Sequence, residues 1–583
     1  MSANHNPDAV VRRWEEASAY LDNSLQAYLE ACSTLQAHSP NVLLKLQTTV
    51  ENLDQRLGSG HDSMARLIEQ SRSSLKRARN VLATRIYSLP DEVLCTIFSI
   101  IVYESTNVPA ITPVTDMKDR TIIIQHRLNI LLAVCSTWRR ALLSNGSFWS
   151  LIPFRGEKSI GVMSNAVDLS LRRSRNAPLH LAVHLHNCER SKLHEGLASM
   201  GKHWSRVQNL NVCSESLQDI RTIMRLLLSR TPPETMTELS ICHDIKTEDE
   251  KEIPDEDDYL FAHNSGHQSL FEGLVESLRI LRLSKINIHL DTVSFQGLVE
   301  LRIEGVMLGY NSDLHQLLHA LSASPELRNI QLIDIVSLPD PDNVESASDW
   351  IISTPRPSRS LLNIENLHLQ DVYFDVIRLV LKWATPRTSR LVLQLSDRYL
   401  TINSDPKTHR TLTEFTAMLS EVEAQVDTLM VGYRSMDWLG GASGLRQILR
   451  SMPKLKTMYL HWWELDREVL NALTRPRPNT VCSTTDPEIS TFPSLQYVYL
   501  TGVRLHDYKR FKKFVSSHPI KRLVLACAQP SCQASSEDDD EEWTSTQSHH
   551  MIPRWLKANV PDFQLLDSVD ELPEFDPWTW QLW

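Results

Sequence analysis

The sequence predicts a chain of class α + α/β: packed helices in its N-terminal part, then a solenoid in which each repeat contributes one strand and one helix. Three observations support this prediction. Apolar residues recur at helical spacing in the N-terminal part, a short apolar-x-x-apolar-x-apolar pattern then recurs many times, and helix-like stretches separate its copies.

The composition fits a folded protein and excludes several classes. Apolar residues make up 42% and charged residues 22% of the 583 residues, enough for a sizeable core. The 60 Lys and Arg against 71 Asp and Glu give a net charge of −11, which argues against a nucleic-acid-coating protein. No stretch reaches the roughly 18 apolar residues of a membrane span, the first residues lack a secretory signal, and nine Cys do not resemble a disulfide framework. We expect a soluble protein of the cytoplasm, the nucleus or both, with no nucleic-acid or membrane partner.

Residues 1–84 are predicted to be helical. Apolar side chains at spacings of three and four follow Asn41, and the same spacing resumes after Gly58 and Gly60. The two sets are Leu43, Leu46, Val50, Leu53 and Leu57, and then Met64, Leu67, Ile68, Leu75 and Leu82. Three interpretations stay open: an antiparallel hairpin, a short coiled coil with a partner, or helices that pack locally on the next domain.

Residues 85–154 begin with a helix that starts at a Leu-Pro pair. Pro90 suits a first helical turn, where an N–H lacks an intrahelical partner, and Asp91 and Glu92 lie near the positive end of the helix dipole. Apolar residues at helical spacing then form one stripe in this helix and another further along the chain. They are Val93, Leu94, Ile97, Phe98 and Ile101, and then Leu128, Leu131, Leu132, Cys135, Trp138 and Leu142.

This block resembles the F-box. The matching elements are Leu-Pro-x-Glu-Val-Leu-x-x-Ile-Phe from Leu89, Val-Cys-x-x-Trp-Arg from Val134, and Phe148-Trp149, with a longer stretch between the halves than a compact F-box has. The resemblance implies a three-helix module that docks on a Skp-family adaptor and, through it, on the cullin of a ubiquitin ligase. It implies adaptor contacts at Leu89, Pro90, Leu94, Ile97, Phe98, Cys135 and Trp138.

The alternative for this block is an ordinary helical hairpin whose apolar residues form its own core. Val93, Ile101 and Leu132 are expected to have that internal role under either interpretation.

Residues 161–529 carry the repeated pattern. Alternating apolar residues at Val167–Leu171 and Leu179–Leu185 indicate strands. Copies of the pattern start at Val207, Met236, Leu278, Leu298, Leu327, Ile364, Val426, Leu455, Leu495 and Ile520, with a partial copy at Leu391–Leu393. Their central positions lie 20 to 42 residues apart, and the pattern resembles irregular leucine-rich repeats. The alternative is a globular α/β domain whose strands share this pattern.

A solenoid presents a long surface for protein recognition. The residues that flank the strand leucines would face a client protein, and they include Arg282, Arg302, His368, Tyr459 and Tyr499. This mixture suits an acidic or phosphorylated segment, although solvated strand faces have the same composition.

Motifs for catalysis, metals and cofactors are missing from the sequence. It contains no Walker loop, no HExxH, no nucleophile elbow and no CxxC. His461, His549, His550 and the pair Cys527 and Cys532 suit packing and loop roles better than metal ligation. We therefore expect a non-catalytic protein without a metal or cofactor.

Residues 530–583 combine an acidic run with a tryptophan-rich tail. The acidic run is Ser535–Glu542, and the tryptophans are Trp543, Trp555, Trp578, Trp580 and Trp583. Three roles are open for the tail: a cap on the last repeat, an anchor for a partner, or a segment that reaches back along the concave face.

Together these patterns predict the substrate-recognition subunit of an SCF-type E3 ubiquitin ligase, in which the F-box recruits the adaptor and the repeats bind the client. The alternative is an interaction scaffold that is built on an F-box and a solenoid and does not ubiquitylate anything.

Overall fold

The computed structural model describes residues 7–37, 54–55, 61–83, 86, 89–103, 116–156, 160–186, 197, 200–230, 235–245, 253–338, 361, 363–384, 390–402, 405–422, 424–432, 439–476, 492–527, 553–566 and 580–582. The chain forms two compact units, Met1–Asp91 and Glu92–Trp583. The following predicted features lie outside the described residues: the apolar set Leu43, Leu46, Val50, Leu53 and Leu57, the acidic run Ser535–Glu542, His549, His550, Cys532, Trp543, Trp578 and Trp583.

The described residues of the first unit include the helices α1 (Pro7–Ala37) and α2 (His61–Ala83), so the predicted helices are present in these two stretches. The Tyr28 hydroxyl lies 3.4 Å from Nε2 of His61. Leu67, Ile68 and Leu75 of α2 are exposed, and the choice between hairpin, coiled coil and local packing stays a prediction.

The second unit is a mixed structure of helices and parallel strands. Its described helices include α3 (Asp91–Tyr103), α4 (Met117–Val134), α5 (Ser136–Ser144), α6 (Ile160–Arg173), α7 (Leu217–Arg230), α8 (Gly266–Ser277), α9 (Asn311–Ser322), α10 (Phe374–Trp383), α11 (Leu412–Glu421), α12 (Gly441–Ser451), α13 (Arg467–Leu473) and α14 (Tyr508–Ser517). No helix in the described part of the chain is long and apolar enough to cross a membrane.

Among the described residues, fifteen strands form one sheet in which every pairing is parallel. They are β1 (Leu151–Gly156), β2 (Leu179–Leu185), β3 (Val207–Ser214), β4 (Glu238–His243), β5 (Ile280–Ser284), β6 (Glu300–Glu304), β8 (Asn329–Ile333), β10 (Asn366–Gln370), β11 (Arg390–Leu395), β14 (Val426–Val431), β15 (Thr457–His461), β16 (Glu464–Leu465), β17 (Tyr497–Leu505), β18 (Arg522–Cys527) and β19 (Asp562–Leu565). Two small sheets pair β7 (Met307–Tyr310) with β9 (Val336–Leu338) and β12 (Thr401–Ile402) with β13 (Asp405–His409).

Strand order follows chain order, as expected of a repeat protein in which each unit packs on the next. Side chains alternate between the two sheet faces, so in β5 the buried Leu281 and Leu283 point one way and Arg282 points the other. The leucines join Phe271 and Leu274 of α8 in one continuous core. The opposite face, which bears Arg282 and its register partners on other strands, is called the open face below.

The structure corrects the predicted boundaries of the repeat region. The sheet starts at β1, inside the segment assigned to the F-box, and ends with β19, inside the predicted tail. The prediction of a strand at Val167–Leu171 is wrong, because these residues belong to α6. The other pattern copies do coincide with strands, including the partial copy at Leu391–Leu393.

Two tryptophans of the tail have different places. Trp555 packs against the core at the end of the sheet, 5.5 Å from the Lys512 ammonium, and the nearby Leu556 is completely buried. This packing is the arrangement expected of a cap on the last repeat. Trp580 instead lies buried on the open face, near the first repeats.

Candidate functional site

Helices α3, α4 and α5 contain their own buried core. Leu94, Phe98 and Val102 recur every four residues on α3 and are buried, and the Phe98 ring centroid lies 4.8 Å from that of Trp138 on α5. Leu94 and Phe98 were predicted to contact the adaptor. Since they are 1% and 0% exposed, they hold the helices together and are not available to a partner in this conformation.

An exposed apolar stripe lies on the same helix. Val93, Ile100 and Ile101 are 42%, 47% and 39% exposed, and Ile97 is partly exposed. Helical geometry places these residues on one face, about 100° around the axis from the buried stripe. Val93 and Ile101 were expected in the core, so the structure reverses their roles with those of Leu94 and Phe98. Leu132, also expected in the core, is partly exposed.

Polar contacts fix the end of α3. The last carbonyls of a helix lack intrahelical partners, and here Ile101 and Tyr103 accept hydrogen bonds from Arg127 and Arg120 at 3.1 and 3.3 Å. The Tyr103 hydroxyl donates to the Phe148 carbonyl at 3.1 Å, and burial raises its pKa far above the usual value. The exposed stripe is therefore presented by a helix with a fixed orientation in the second unit.

The remaining predicted adaptor contacts are accessible to different degrees. In the first unit, Pro90 is exposed, and Leu89 is half-buried with its N–H 3.3 Å from the Ile86 carbonyl. Cys135 and Trp138 are half-buried, and the Cys135 thiol caps α5 by accepting from the Trp138 N–H at 3.5 Å. None of these four side chains is enclosed.

The helical module is joined directly to the first repeat. Arg155 of β1 donates to the Thr121 hydroxyl of α4 at 3.0 Å. Between α5 and β1, a Cβ at Gly146 would lie 2.5 Å from the Ser174 carbonyl oxygen, so only glycine permits this close approach. The module and the repeats thus form a continuous structure.

The predicted client-binding residues all lie on the open face. Arg282 and Arg302 are register partners on β5 and β6, and Gln331 of β8 separates Arg302 from His368 of β10. Further along the sheet, Tyr459 and Tyr499 are register partners whose rings stack 4.2 Å apart. The structure therefore brings the five predicted residues together as two groups on one surface.

The two arginines are neutralised by the protein itself. Arg282 Nε lies 2.7 Å from the Glu300 carboxylate, and Arg302 Nη2 lies 2.6 Å from that of Glu304. Burial raises the pKa of Glu304, and Arg302 partly offsets this effect. Because carboxylates of the protein already balance both guanidinium charges, the geometry does not favour binding of an acidic or phosphorylated client segment by these two arginines.

Polar atoms without partners lie on the central strands of the open face. His368 Nε2 and Gln370 Nε2 of β10, Gln394 Oε1 of β11 and Arg282 Nη1 of β5 are buried, and none of these atoms forms a hydrogen bond in the described structure. Gln370 and Gln394 are register partners. Burial, reinforced by Arg302, lowers the pKa of His368 to about 4, so this imidazole is neutral at neutral pH. Such atoms are costly to a fold, and a binding partner can satisfy them.

The described histidines include one predicted packing residue and two members of a group with metal-ligand potential. His461 is buried and its Nδ1 lies 2.8 Å from the Thr501 hydroxyl, which fits the packing role predicted for it. His263, His289 and Asp291 have ligand atoms within 4.8 Å of one another. Sequence reasoning missed this group because its members are not spaced as a motif.

Comparison with known proteins gives little further information. No protein-family model and no curated protein matches the chain. One solved structure that it resembles is described as "Crystal structure of Rad7 and Elc1 complex in yeast", with 13% identity, coverage of 81% of this chain and 96% of that chain, and a TM-score of 0.33. This likeness is too distant to assign a function, which has to be argued from the residues of this chain.

Proposed function

We propose that the protein is a non-catalytic substrate receptor of an SCF-type ubiquitin ligase. The α3–α5 module binds a Skp-family adaptor, which connects the chain to a cullin, and the open face binds a client protein. The receptor contributes proximity, because it holds the client where the activated carrier of another subunit can reach it. The observation that carries the proposal is the exposed apolar stripe of α3, in a segment whose sequence resembles the F-box.

The stripe has the properties of a protein interface. Val93, Ile97, Ile100 and Ile101 project from one face of a helix that is fixed by its own core, so little order has to be gained on binding. Burying each large aliphatic side chain contributes about 1 to 2 kcal/mol. A few such residues at the centre of an interface supply most of its affinity.

The open face supports the second half of the proposal. It offers stacked tyrosines, Tyr459 and Tyr499, which are side chains enriched at binding hot spots. It also offers the unpaired atoms of His368, Gln370 and Gln394, which a client's backbone or polar side chains can satisfy.

Co-purification with the adaptor tests the first half. The paired substitution Ile97→Ser and Ile100→Ser should reduce adaptor affinity at least tenfold, because it removes apolar contact area from the stripe and leaves the buried Leu94, Phe98 and Val102 in place. Leu270→Ser is the matched control, since Leu270 on α8 is 48% exposed, as Ile100 is 47% exposed, and lies among the repeats. The pair Leu89→Ala and Pro90→Ala should also release the adaptor with helical content unchanged. Full adaptor binding by both paired variants would refute the proposal.

The scaffold alternative makes a different prediction for the same material. A ligase receptor should bring a cullin into the complex with the adaptor. A scaffold should retain the adaptor without the cullin, and no co-purified protein should become ubiquitylated when the carrier enzyme is added.

A further inference from the structure

Trp580 is held on the open face by contacts that recognise both its ring and its backbone. The indole Nε1 donates to Asn211 Oδ1 on β3 at 2.6 Å, and Asn211 Nδ2 donates to the Gln581 carbonyl at 3.0 Å. The Met117 N–H donates to the Trp580 carbonyl at 2.9 Å. The Arg302 guanidinium, one of the predicted client contacts, lies 5.9 Å from the indole centroid.

The surface under the ring is made of small or apolar side chains. Trp580 packs with Ala182 of β2, Cys213 of β3, Cys242 of β4 and Met117 of α4. A hydrogen bond with Cys242, together with burial, raises the pKa of the Cys213 thiol well above its usual value, so this side chain packs as an uncharged group. Elsewhere the open face carries Arg, His and Tyr; the small residues here leave room for an indole.

The start of α4 supplies the backbone donor. Met117 occupies the first turn, where N–H groups have no intrahelical acceptor, and its N–H is given to the Trp580 carbonyl. Asp116 caps the same helix by accepting from the Asp119 N–H at 2.7 Å. The site thus joins α4, the long helix of the module, to the first repeats.

The hydrogen bonds do not depend on the tail's other side chains, and the one further apolar contact of the tail is Leu582, which packs against the same cluster. The hydrogen bonds recognise one indole N–H and two backbone carbonyls, and the Gln581 side chain is exposed. A peptide that presents a tryptophan can form the same hydrogen bonds through its indole N–H and two backbone carbonyls, and an apolar residue two positions later can take the place of Leu582. The tail has the advantage of being covalently attached, through residues 567–579, which gives it a high effective concentration at the site.

We propose that the surface formed by Met117, Ala182, Asn211, Cys213 and Cys242, here called the indole site, is a peptide-binding site for a tryptophan-bearing segment of a client. Trp580 occupies it in cis until such a segment replaces it. This inference rests on the proposed role of the open face in client binding, and it specifies the chemistry that the first repeats recognise.

A labelled peptide of residues 576–583 tests the inference by fluorescence anisotropy. A chain that ends at Thr579 should bind this peptide saturably, and the full chain should bind it at least tenfold more weakly because its own Trp580 fills the site. In the peptide, Trp580→Phe should weaken binding to the truncated chain about tenfold, since Asn211 Oδ1 loses its donor. Gln581→Ala in the peptide is the matched control and should change nothing.

Either of two results with the truncated chain would overturn the inference. The first is the absence of saturable peptide binding when the circular dichroism and melting temperature of the truncated chain match those of the full chain. The second is equal peptide binding by the truncated chain and the full chain. If truncation unfolds the protein, the full chain with Trp580→Phe replaces it and should bind the unmodified peptide more tightly than the unaltered chain does; equal binding would overturn the inference. Adaptor capture by the same samples is measured separately. Its loss with peptide binding intact would count against the proposed ligase role and not against the indole site.

Discussion

Gln370 shows how a single residue can mark function through a cost to stability. Its side-chain amide is 1% exposed on the open face, and its Nε2 has no hydrogen-bond partner. A buried polar group without a partner costs about 1–3 kcal/mol. We therefore predict that Gln370→Leu raises the free energy of unfolding by about 1 kcal/mol and weakens client capture. Urea denaturation checks the first effect, with Gln331→Leu on β8 as the control, and an unchanged or lower stability for Gln370→Leu would contradict the prediction.

At the scale of single residues, the sequence predicted which side chains lie on the open face, but it did not predict their hydrogen-bond and ion-pair partners. The spacing of the strand leucines placed Arg282 and His368 on one face correctly, because side-chain alternation is a local property of a strand. The internal pairing of Arg282 with Glu300 and the lack of a partner at His368 Nε2 depend on which strands become neighbours. Spacing along the chain does not contain that information.

The two stripes of α3 carry the argument at the scale of an element. Leu94 is 1% exposed, whereas its neighbour Val93 is 42% exposed. We predict that Leu94→Ala lowers the free energy of unfolding by about 3 kcal/mol through loss of burial and a residual cavity. Val93→Ala should change stability by less than about 0.5 kcal/mol and should weaken adaptor binding. Thermal melts and adaptor titrations of this pair check the assignment, and the opposite ranking would show that the stripes are reversed.

Helix α6 shows why the type of an element can be misread. Val167 and Leu171 are both buried and stand four residues apart, as on one helix face, while Leu169 between them is 44% exposed. Val167, Leu169 and Leu171 also satisfy a period of two, so the short apolar run fits a strand and a helix equally well. Whether these residues form a helix or a strand is therefore decided by their packing on β1 and not by the apolar pattern of the segment itself.

The junction after α14 makes stability depend on pH. His518 Nδ1 accepts from the Leu495 N–H at 3.3 Å and Nε2 lies 2.9 Å from the Leu473 carbonyl, an arrangement that requires the neutral ring. Burial lowers the pKa of His518 to about 4, below the unfolded value of about 6.5. The stability contribution is therefore complete above pH 6.5 and is lost as the pH falls towards 4, and the loss amounts to about 2 kcal/mol at pH 5. Between pH 7 and pH 4, the melting temperature of His518→Gln should fall less steeply with pH than that of the unaltered chain. An equal dependence of the two melting temperatures on pH would contradict this prediction.

At the scale of the whole molecule, the open face of the sheet and the place of Trp580 on it differ in how far the sequence predicted them. The repeat pattern made the parallel sheet and its open face predictable, because stacked units must bury each other's apolar sides. The place of Trp580 was one of three possibilities, since its contacts with Asn211 and Met117 join parts of the chain that only the completed fold brings together. The high density of tryptophans in the tail was the sequence signal that pointed to a contact of this kind.

The exposed stripe of α3 and the open face of the sheet belong to different elements of the second unit, so the effects of substitutions in them should be separable. We predict that Ile97→Ser with Ile100→Ser removes adaptor and cullin from pull-downs while client proteins stay bound. Gln370→Leu with His368→Leu should do the reverse, since these substitutions remove the polar atoms that a client would satisfy and leave α3 intact. Quantitative mass spectrometry of the two pull-downs measures both losses in one experiment.

Substitution is preferable to deletion of residues 85–154, because β1 belongs to the sheet and its removal would expose the edge of β2. Loss of adaptor and client together in either variant would mean that one surface serves both partners, and the division of labour proposed for this chain would fail.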